Sequence, residues 1–533
     1  MLPDSKNPAK YLPVVFALLL AAGIFIGSRM NTSFIKGQPR THQFNKLSEV
    51  INYIEQEYVD TIDEKKLVDN SIEKLLQNLD PHSAYIPAEE VQAANEPLEG
   101  NFEGIGIEFH VQLDTIMVVT TISGGPSDMV GIHPGDRIVR VDKKNVAGIG
   151  ISNNDVFKFL RGKSGTKVNI SVFRRNYPGF IEFTITRGKI PLTSLDAAYM
   201  VDSKTGFIKL SRFAATTFDE FTTAVKNLKA KGMTQLILDL RGNPGGYLDA
   251  ATKIADEFLP DKKMIVYTQG KSRPKTFYKA TSEGNFETGK TVVLIDEGSA
   301  SASEIIAGAL QDWDRATIIG RRSYGKGLVQ EQTVFPDSSA IRLTIARYYT
   351  PTGRSIQKPY ADGYEEYEAE ITKRTVHGEL ENSDSIKFSD SLQFKTPGGK
   401  IVYGGGGIMP DVFVPADTAE ISEYLNSVFR LSLISQFAYN YVDMNRQQLH
   451  SYKNFKSFNE NFSISDEFME NFIQYAAREG VKRDDAGVKI SERIIRVQLK
   501  AFIARQLFRD EGFFPVLNEI DNTFKKAVEV MNE

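Results

Sequence analysis

Thr291-Val-Val-Leu-Ile-Asp-Glu-Gly-Ser-Ala-Ser-Ala-Ser-Glu-Ile-Ile-Ala-Gly-Ala-Leu-Gln-Asp-Trp313 is the stretch on which the reading of this chain turns. TVVLI has the length and β-branched content of a buried strand, a turn of small residues follows, and an apolar helix begins at once. A strand-to-helix turn exposes a side chain at the end of a sheet and aims helix N–H groups at the same point. That geometry suits a nucleophile with an oxyanion site beside it. Ser301-x-x-Glu304 equally spells a helix capping box, which needs no catalysis to explain it. Ser299 and Ser303 alternate with Ser301 through alanines, so this block alone leaves open which serine reacts.

Outward from this turn, residues 189–416 alternate strands and helices. FIKLSRF, QLILDL, MIVYTQ, TVVLI and ATIIG read as strands; FDEFTTAVKNLKAKG, YLDAATKIADEFL and SASEIIAGALQDW read as helices. This alternation predicts a mixed α/β core. Residues 361–400 are polar and charged and read as a surface insertion. After GGGGIMPDVFVP, residues 417–533 read as helices rich in Phe, Lys and Glu, without a catalytic pattern. They are left to form a homo-oligomer, dock an adaptor or pack on the core.

A serine nucleophile needs a base, and Ile319-Gly-Arg-Arg-Ser-Tyr-Gly-Lys-Gly-Leu-Val-Gln-Glu-Gln332 offers Lys326. Burial in an apolar pocket lowers a lysine pKa from about 10.4 toward neutrality. A glycine on each side lets the backbone pack closely and turn the amine inward, although most lysines are solvated. No histidine offers itself: His133 lies in a β-rich segment and His377 in the polar insertion. Gly320 to Lys326 also fits the start of a phosphate-binding loop. However, Gly327 stands where Ser/Thr is required, and LVQEQTV reads as a strand, not the helix such a loop opens.

Composition narrows the field. The chain has 533 residues, too many for one core, because cores stop growing near about 250–300 residues. The net charge of −4 gives no reason to expect nucleic acid. With no cysteine, disulfides and thiolate chemistry are excluded; no two of the six histidines lie within five residues, so no zinc pattern and no cofactor are expected. Eighteen uncharged residues, YLPVVFALLLAAGIFIGS (11–28), follow Lys6 and Lys10. As a helix they would span about 27 Å. They predict a signal segment or membrane anchor with the rest of the protein on the extracytoplasmic (periplasmic) side. The poor cleavage site favours an uncleaved anchor, and residues 31–43 read as its tether.

Residues 44–95 read as helices, with Leu47, Val50, Ile51 and Ile54 at helical spacing and a stop at Asp80-Pro81. Residues 96–188 switch to short β-rich runs around one short helix, NNDVFKFLRG. Their GGPSDMVGIHPGDRIVRVDKKNV block resembles a PDZ domain. The resemblance implies that the turn Gly104-Ile105-Gly106-Ile107 offers its amides to the C-terminus of another polypeptide, which then adds as a strand. Arg161, at the end of the short helix, reads as a surface arginine or as part of a gate.

LDLRGNPGG (238–246), EGSASASEIIAGALQD (297–312), RSYGKGLVQ (322–330) and GGIMPDV (406–412) together resemble the C-terminal processing peptidases, or tail-specific proteases. The resemblance covers roughly residues 44–416. It implies a multidomain α/β protein with an N-terminal helical segment 44–95, a PDZ domain 96–188 and a crotonase-like protease core 189–416; the anchor and tether 1–43 and the helical extension 417–533 are read from the residues alone. It places the nucleophile on Ser301, the base on Lys326 and a lysine-orienting glutamine on Gln330. The oxyanion donors fall on the backbone N–H of Ala302 and of Gly245 or Gly246; the NPGG turn is explicable as a tight turn alone. The implied activity is that of a serine endopeptidase acting through an acyl-enzyme on protein or peptide substrates with free, apolar C-termini. The alternatives are a catalytically inactive, membrane-tethered PDZ adaptor and, on fold alone, an acyl-CoA enzyme.

Overall fold

Strand Thr291–Ile295 is buried along its whole length, at the centre of a six-stranded sheet. The computed structural model describes residues 15–22 and 41–533, apart from 113, 176 and 388. In spatial order the sheet runs Leu195–Met200, Thr205–Leu210, Gln235–Asp239, Thr291–Ile295, Thr317–Gly320 and Val412–Phe413. The first pair is antiparallel and the rest are parallel. Parallel strands need crossovers and are covered on both faces, so they read as continuous apolar runs. Here Leu236, Leu238, Val293 and Ile295 pack under helices Thr217–Ala230, Leu248–Asp256 and Ala302–Asp312. Their alternating neighbours Ile237, Val292 and Leu294 meet Phe524, Ala527, Val530 and Met531 of the last helix, Asn522–Asn532. Part of the helical extension is therefore integral to the core.

A second sheet carries the Lys326 block. Leu328–Val334 pairs with Ala340–Tyr349, which also pairs with Met264–Gln269 and with the short strand Ala84–Ile86. Residues 361–400, read as a surface insertion, are more than that. They hold helix Tyr364–Val376, whose Tyr367 and Arg374 are buried, because Arg374 is drawn inward by loop carbonyls described below.

The PDZ-like segment is a sheet in the order Ile107–Gln112, Thr115–Thr121, Arg137–Val141, Lys167–Phe173, Phe180–Thr186, with Lys144–Asn145 beside Arg137–Val141. Helix Asn153–Leu160 begins at a Ser152–Asp155 capping box. A ribbon of Asn101–Gly104 and Gly188–Pro191 joins this segment to the rest. Helices between Glu423 and Leu517 form a separate aromatic-rich core.

The chain divides into two compact units, 1–75 and 76–533. The first holds helix Thr41–Glu57 and most of Glu64–Gln77. Its helical periodicity is as read, but Leu47 and Val50 are exposed rather than packed. The membrane partner expected through residues 11–28 is corrected. Among the described residues no helix is long and apolar enough to cross a membrane. Only residues 15–22 of that stretch are described, as helix; the remainder of the expected anchor, and the expected tether up to residue 40, lie outside the described residues, while 41–43, read as tether, open helix Thr41–Glu57.

Candidate active site

The turn after Thr291–Ile295 delivers three serines to three different environments. Ser299 is fully buried; its Oγ donates to Leu240 O (2.8 Å) and accepts from Asp296 N–H (2.9 Å). Ser303 is equally buried, and its Oγ donates to Asn243 O (2.9 Å). Ser301 alone of the three lines the cleft, which has a volume of about 770 Å³. Its backbone is held at φ 54°, ψ −109°, a left-handed conformation that costs on the order of 1–3 kcal/mol in a non-glycine residue. Its N–H donates to Glu304 Oε2 (2.8 Å), and its carbonyl accepts from Ile305 N–H (3.0 Å) and Tyr348 Oη (3.1 Å).

Glu304 is the glutamate of the capping box, and it does more than cap. It is fully buried. Oε1 accepts from Ser323 Oγ (2.5 Å) and Gly325 N–H (2.7 Å), while Oε2 also accepts from Lys326 N–H (2.9 Å). One carboxylate thus ties the serine turn to the lysine loop. Burial pushes its carboxyl up, against the pull of the four donors.

Lys326 lines the same cleft. Its Nζ donates to Gln330 Oε1 (3.1 Å); Ser301 and Lys326 are not hydrogen-bonded to each other among the described contacts. Burial lowers the amine's pKa, Arg342 lowers it further, and the charges of Asp80 and Glu304 oppose both. Gln330 cannot rotate freely, because its Nε2 donates to the carbonyl of His82. That carbonyl belongs to a turn built on buried Asp80, whose Oδ1 accepts from the N–H of His82 (2.9 Å) and of Ser83 (2.8 Å) and from Thr344 Oγ1 (3.0 Å). The His82 ring bonds Tyr367 Oη (2.7 Å). Burial first, and then the nearby Lys326 charge, hold its pKa down at about 4.

The NPGG turn meets the serine turn edge on. Asn243 is buried; its Nδ2 donates to Leu210 O (2.9 Å), its Oδ1 accepts Gly245 N–H (2.9 Å), and its carbonyl accepts Ala300 N–H (3.0 Å). The amide of Gly245 is therefore occupied. Among the described residues no hydrogen bond engages the amides of Gly246 or Ala302. A Cβ on Gly245, at φ 100°, would lie 2.9 Å from Ala302 N and 2.8 Å from Ser301 Cβ. Only glycine leaves that space open.

The lysine loop is clamped from outside. Arg374 Nη1 donates to Ser323 O (2.8 Å) and Nη2 to Tyr324 O (3.1 Å). Buried Lys358 lies over the rings of Tyr324 and Tyr367 (4.2 and 4.0 Å) and bonds Glu370 Oε2 (3.1 Å). From GGIMPDV, Ile408 N–H donates to Ser323 Oγ (2.6 Å). Asp411 accepts from Gln311 of the serine helix (2.8 Å) and from Ile318 N–H (2.8 Å). Sequence reasoning does not reach the parts played by Glu304, Asp80, His82 and Arg374. The capping-box glutamate and the Asp80-Pro81 stop are visible there, but only as helix punctuation.

In the PDZ-like segment, Ile105 O accepts both Ser127 N–H (3.0 Å) and Ser127 Oγ (2.7 Å), and Gly106 O accepts Ile122 N–H (3.1 Å). The amides of Ile105 and Gly106 have no partner among the described residues. Gly104 closes the ribbon opposite Gly188, and Ile107 starts the edge strand. Arg161 stacks between Phe102 and Phe157 (4.9 and 4.7 Å) and pairs with Glu96 (2.5 Å) on helix Val91–Glu99; Leu98 and Glu99 of that helix line the cleft.

Residues 204–364 match peptidase family S41, 104–179 a PDZ domain, 27–90 the N-terminal domain of the activating protease CtpB, and 424–510 a family of unknown function. The carboxy-terminal-processing protease of Bartonella bacilliformis is 33% identical over 403 residues, covering 72% of this chain and 91% of that one. The chain belongs to peptidase family S41. Carboxy-terminal processing protease CtpA of Bacillus subtilis is 36% identical over 317 residues, 59% of this S41 protein and 67% of its own length. Among solved structures, a photosystem II D1 C-terminal processing protease aligns at 25% identity over 71% of this protein and 88% of its own length, with a TM-score of 0.37. This S41 protein is a serine-type carboxy-terminal processing endopeptidase whose PDZ domain recognises the substrate.

Proposed function

We propose that Ser301 is the nucleophile, Lys326 its general base and Gln330 the residue that aims the lysine. The observation that carries this reading is the fate of the three serines: Ser299 and Ser303 spend their hydroxyls on buried carbonyls, and Ser301 stands in the cleft with Lys326. Neutral Lys326 takes the Ser301 proton as Oγ attacks the scissile carbonyl carbon. The carbonyl oxygen becomes an oxyanion held by the N–H groups of Ala302 and Gly246. Gly246 replaces Gly245 in this role because Asn243 already occupies the Gly245 amide. The intermediate collapses, the C–N bond breaks, and Lys326 returns its proton to the leaving amine. Water then adds to the acyl-enzyme while Lys326 accepts its proton and passes it to Ser301. The Ser301–Lys326 hydrogen bond forms when substrate fills the cleft, as catalytic contacts commonly do.

The substrates we propose are proteins with free, apolar C-termini, bound at the amides of Ile105 and Gly106 and added alongside Ile107–Gln112. Leu248, Ile305 and Leu328 give the cleft apolar walls. The parts 44–95, 96–188, 189–416 and 417–533 serve as working divisions of the protein. A crotonase-like core is supported by a mostly parallel sheet whose strand Thr291–Ile295 runs straight into the serine turn. Family membership is consistent with an extracytoplasmic place of action.

The test is turnover of an unstructured peptide with an apolar C-terminus by Ser301→Ala and Lys326→Ala proteins. Each is expected to lose about 10⁴-fold or more in kcat, on the scale seen when one member of a catalytic set is removed. Wild-type turnover by either variant removes the assignment.

A further inference from the structure

The strand that receives the substrate tail has two faces, and both are covered. Ile107, Phe109 and Val111 pack toward the PDZ core, and the Phe109 ring meets Phe157 of helix Asn153–Leu160 at 5.5 Å. The alternating residues Glu108, His110 and Gln112 point the other way, where an isolated PDZ domain would meet water. In this protein the helical extension stands there. Arg505 Nη2 lies 3.3 Å from Glu108 Oε1. Gln112 interacts with Tyr475. On the next strand, Met117 and Val119 are buried against Tyr439, with Phe502 beside it. Arg446 Nη2 donates to Pro134 O at 2.6 Å, and Asp443 faces Arg175 at 3.7 Å. Within this interface His110 Nε2 is buried without a hydrogen-bond partner among the described residues.

Ile107–Gln112 is an edge strand. A tail that adds to it antiparallel alternates its side chains in step with that strand. A terminal residue seated opposite Ile107 faces the PDZ core. The penultimate residue then falls on the side of Glu108, and the fourth from the end on the side of His110.

We propose that the helical extension is the second wall of the peptide groove, so that the PDZ core reads the last and third-from-last residues while the Glu108–Arg505 pair reads the charge of the penultimate one. This rests on tail recognition by the PDZ domain and extends it: the segment matching a family of unknown function becomes a specificity element. Glu108 and Arg505 act with opposite sign on the same substrate position, and neither touches the reacting atoms.

The experiment uses the full-length protein and peptides ending in an apolar residue, with Lys, Ala or Asp at the penultimate position. A second set varies only the last residue. The readout is the ratio of kcat/KM for Lys over Asp. Arg505→Ala leaves Glu108 facing the tail and is expected to raise that ratio about threefold; Glu108→Ala leaves Arg505 and is expected to lower it by a similar factor, the scale of one partly exposed charge pair. The last-residue preference stays as in wild type. Ratios that do not move, or that move in the same direction in both variants, overturn the proposal, because a merely structural pair has no sign. A loss of the last-residue preference in the variants also overturns it, since the extension would then only hold the domain together. A wild-type enzyme indifferent to the last residue would instead remove tail recognition itself, and the proposal with it.

Discussion

At Lys326 the sign of each neighbour's effect can be worked out. The neutral amine is the base, so activity climbs as pH rises through its pKa. Burial and Arg342 depress that pKa; Asp80 and Glu304 hold it up. Gln330 accepts from the amine at 3.1 Å without adding charge. Gln330→Glu places a carboxylate at that contact, favours the ammonium form and is expected to move the acid limb of the kcat/KM–pH profile upward by about one to three units. An unmoved limb would mean that the amine is not the titrating base. The motif residues are legible in the sequence because their spacing and order carry a family register. Glu304 is legible only as half of a capping box, because four hydrogen bonds from two separate segments (299–304 and 323–326) cannot be read from local spacing. The same holds for Asp80, which acts on Gln330 through a backbone carbonyl about 250 residues away in the sequence.

Among the elements, helix Tyr364–Val376 departs most from its reading as surface. Its polar composition points to solvent exposure, yet Arg374 is 2% exposed and spends its guanidinium on two carbonyls of the lysine loop. Arg374→Ala leaves those buried carbonyls, and the Glu370 carboxylate that accepts from Arg374 Nε at 2.6 Å, short of a partner. It is expected to cost about 3 kcal/mol of stability, read by chemical denaturation, and to lower kcat of the folded enzyme, since Lys326 sits on the loop it clamps. Wild-type kcat with reduced stability would confine the helix to a structural part. The strands of the main sheet are easier to recognise. Buried on both faces, they read as unbroken apolar runs such as LILDL and TVVLI.

Over the whole molecule, four distant stretches meet at one cleft: Asn95–Glu99, the NPGG turn, the serine turn and the lysine loop. The helical extension joins them from outside. Its last helix seals the sheet's second face, where Phe524 meets Phe207 edge-on at 5.5 Å. Phe524→Ala is expected to destabilise the fold by about 3 kcal/mol, visible as a lower denaturation midpoint; an unchanged midpoint would mean the helix is dispensable to the core. Sequence reasoning leaves the place of this segment open, because amphipathic helices show that they pack but not against what. The central claim is that Ser301 attacks and Lys326 activates it. It is tested most directly by acid-quenching the enzyme during turnover of an activated peptide ester and mapping the acylated residue by mass spectrometry. The predicted result is an acyl group on Ser301 in the wild type and none at neutral pH in Lys326→Ala. An acyl group on Ser299 or Ser303, or undiminished acylation without Lys326, would contradict it.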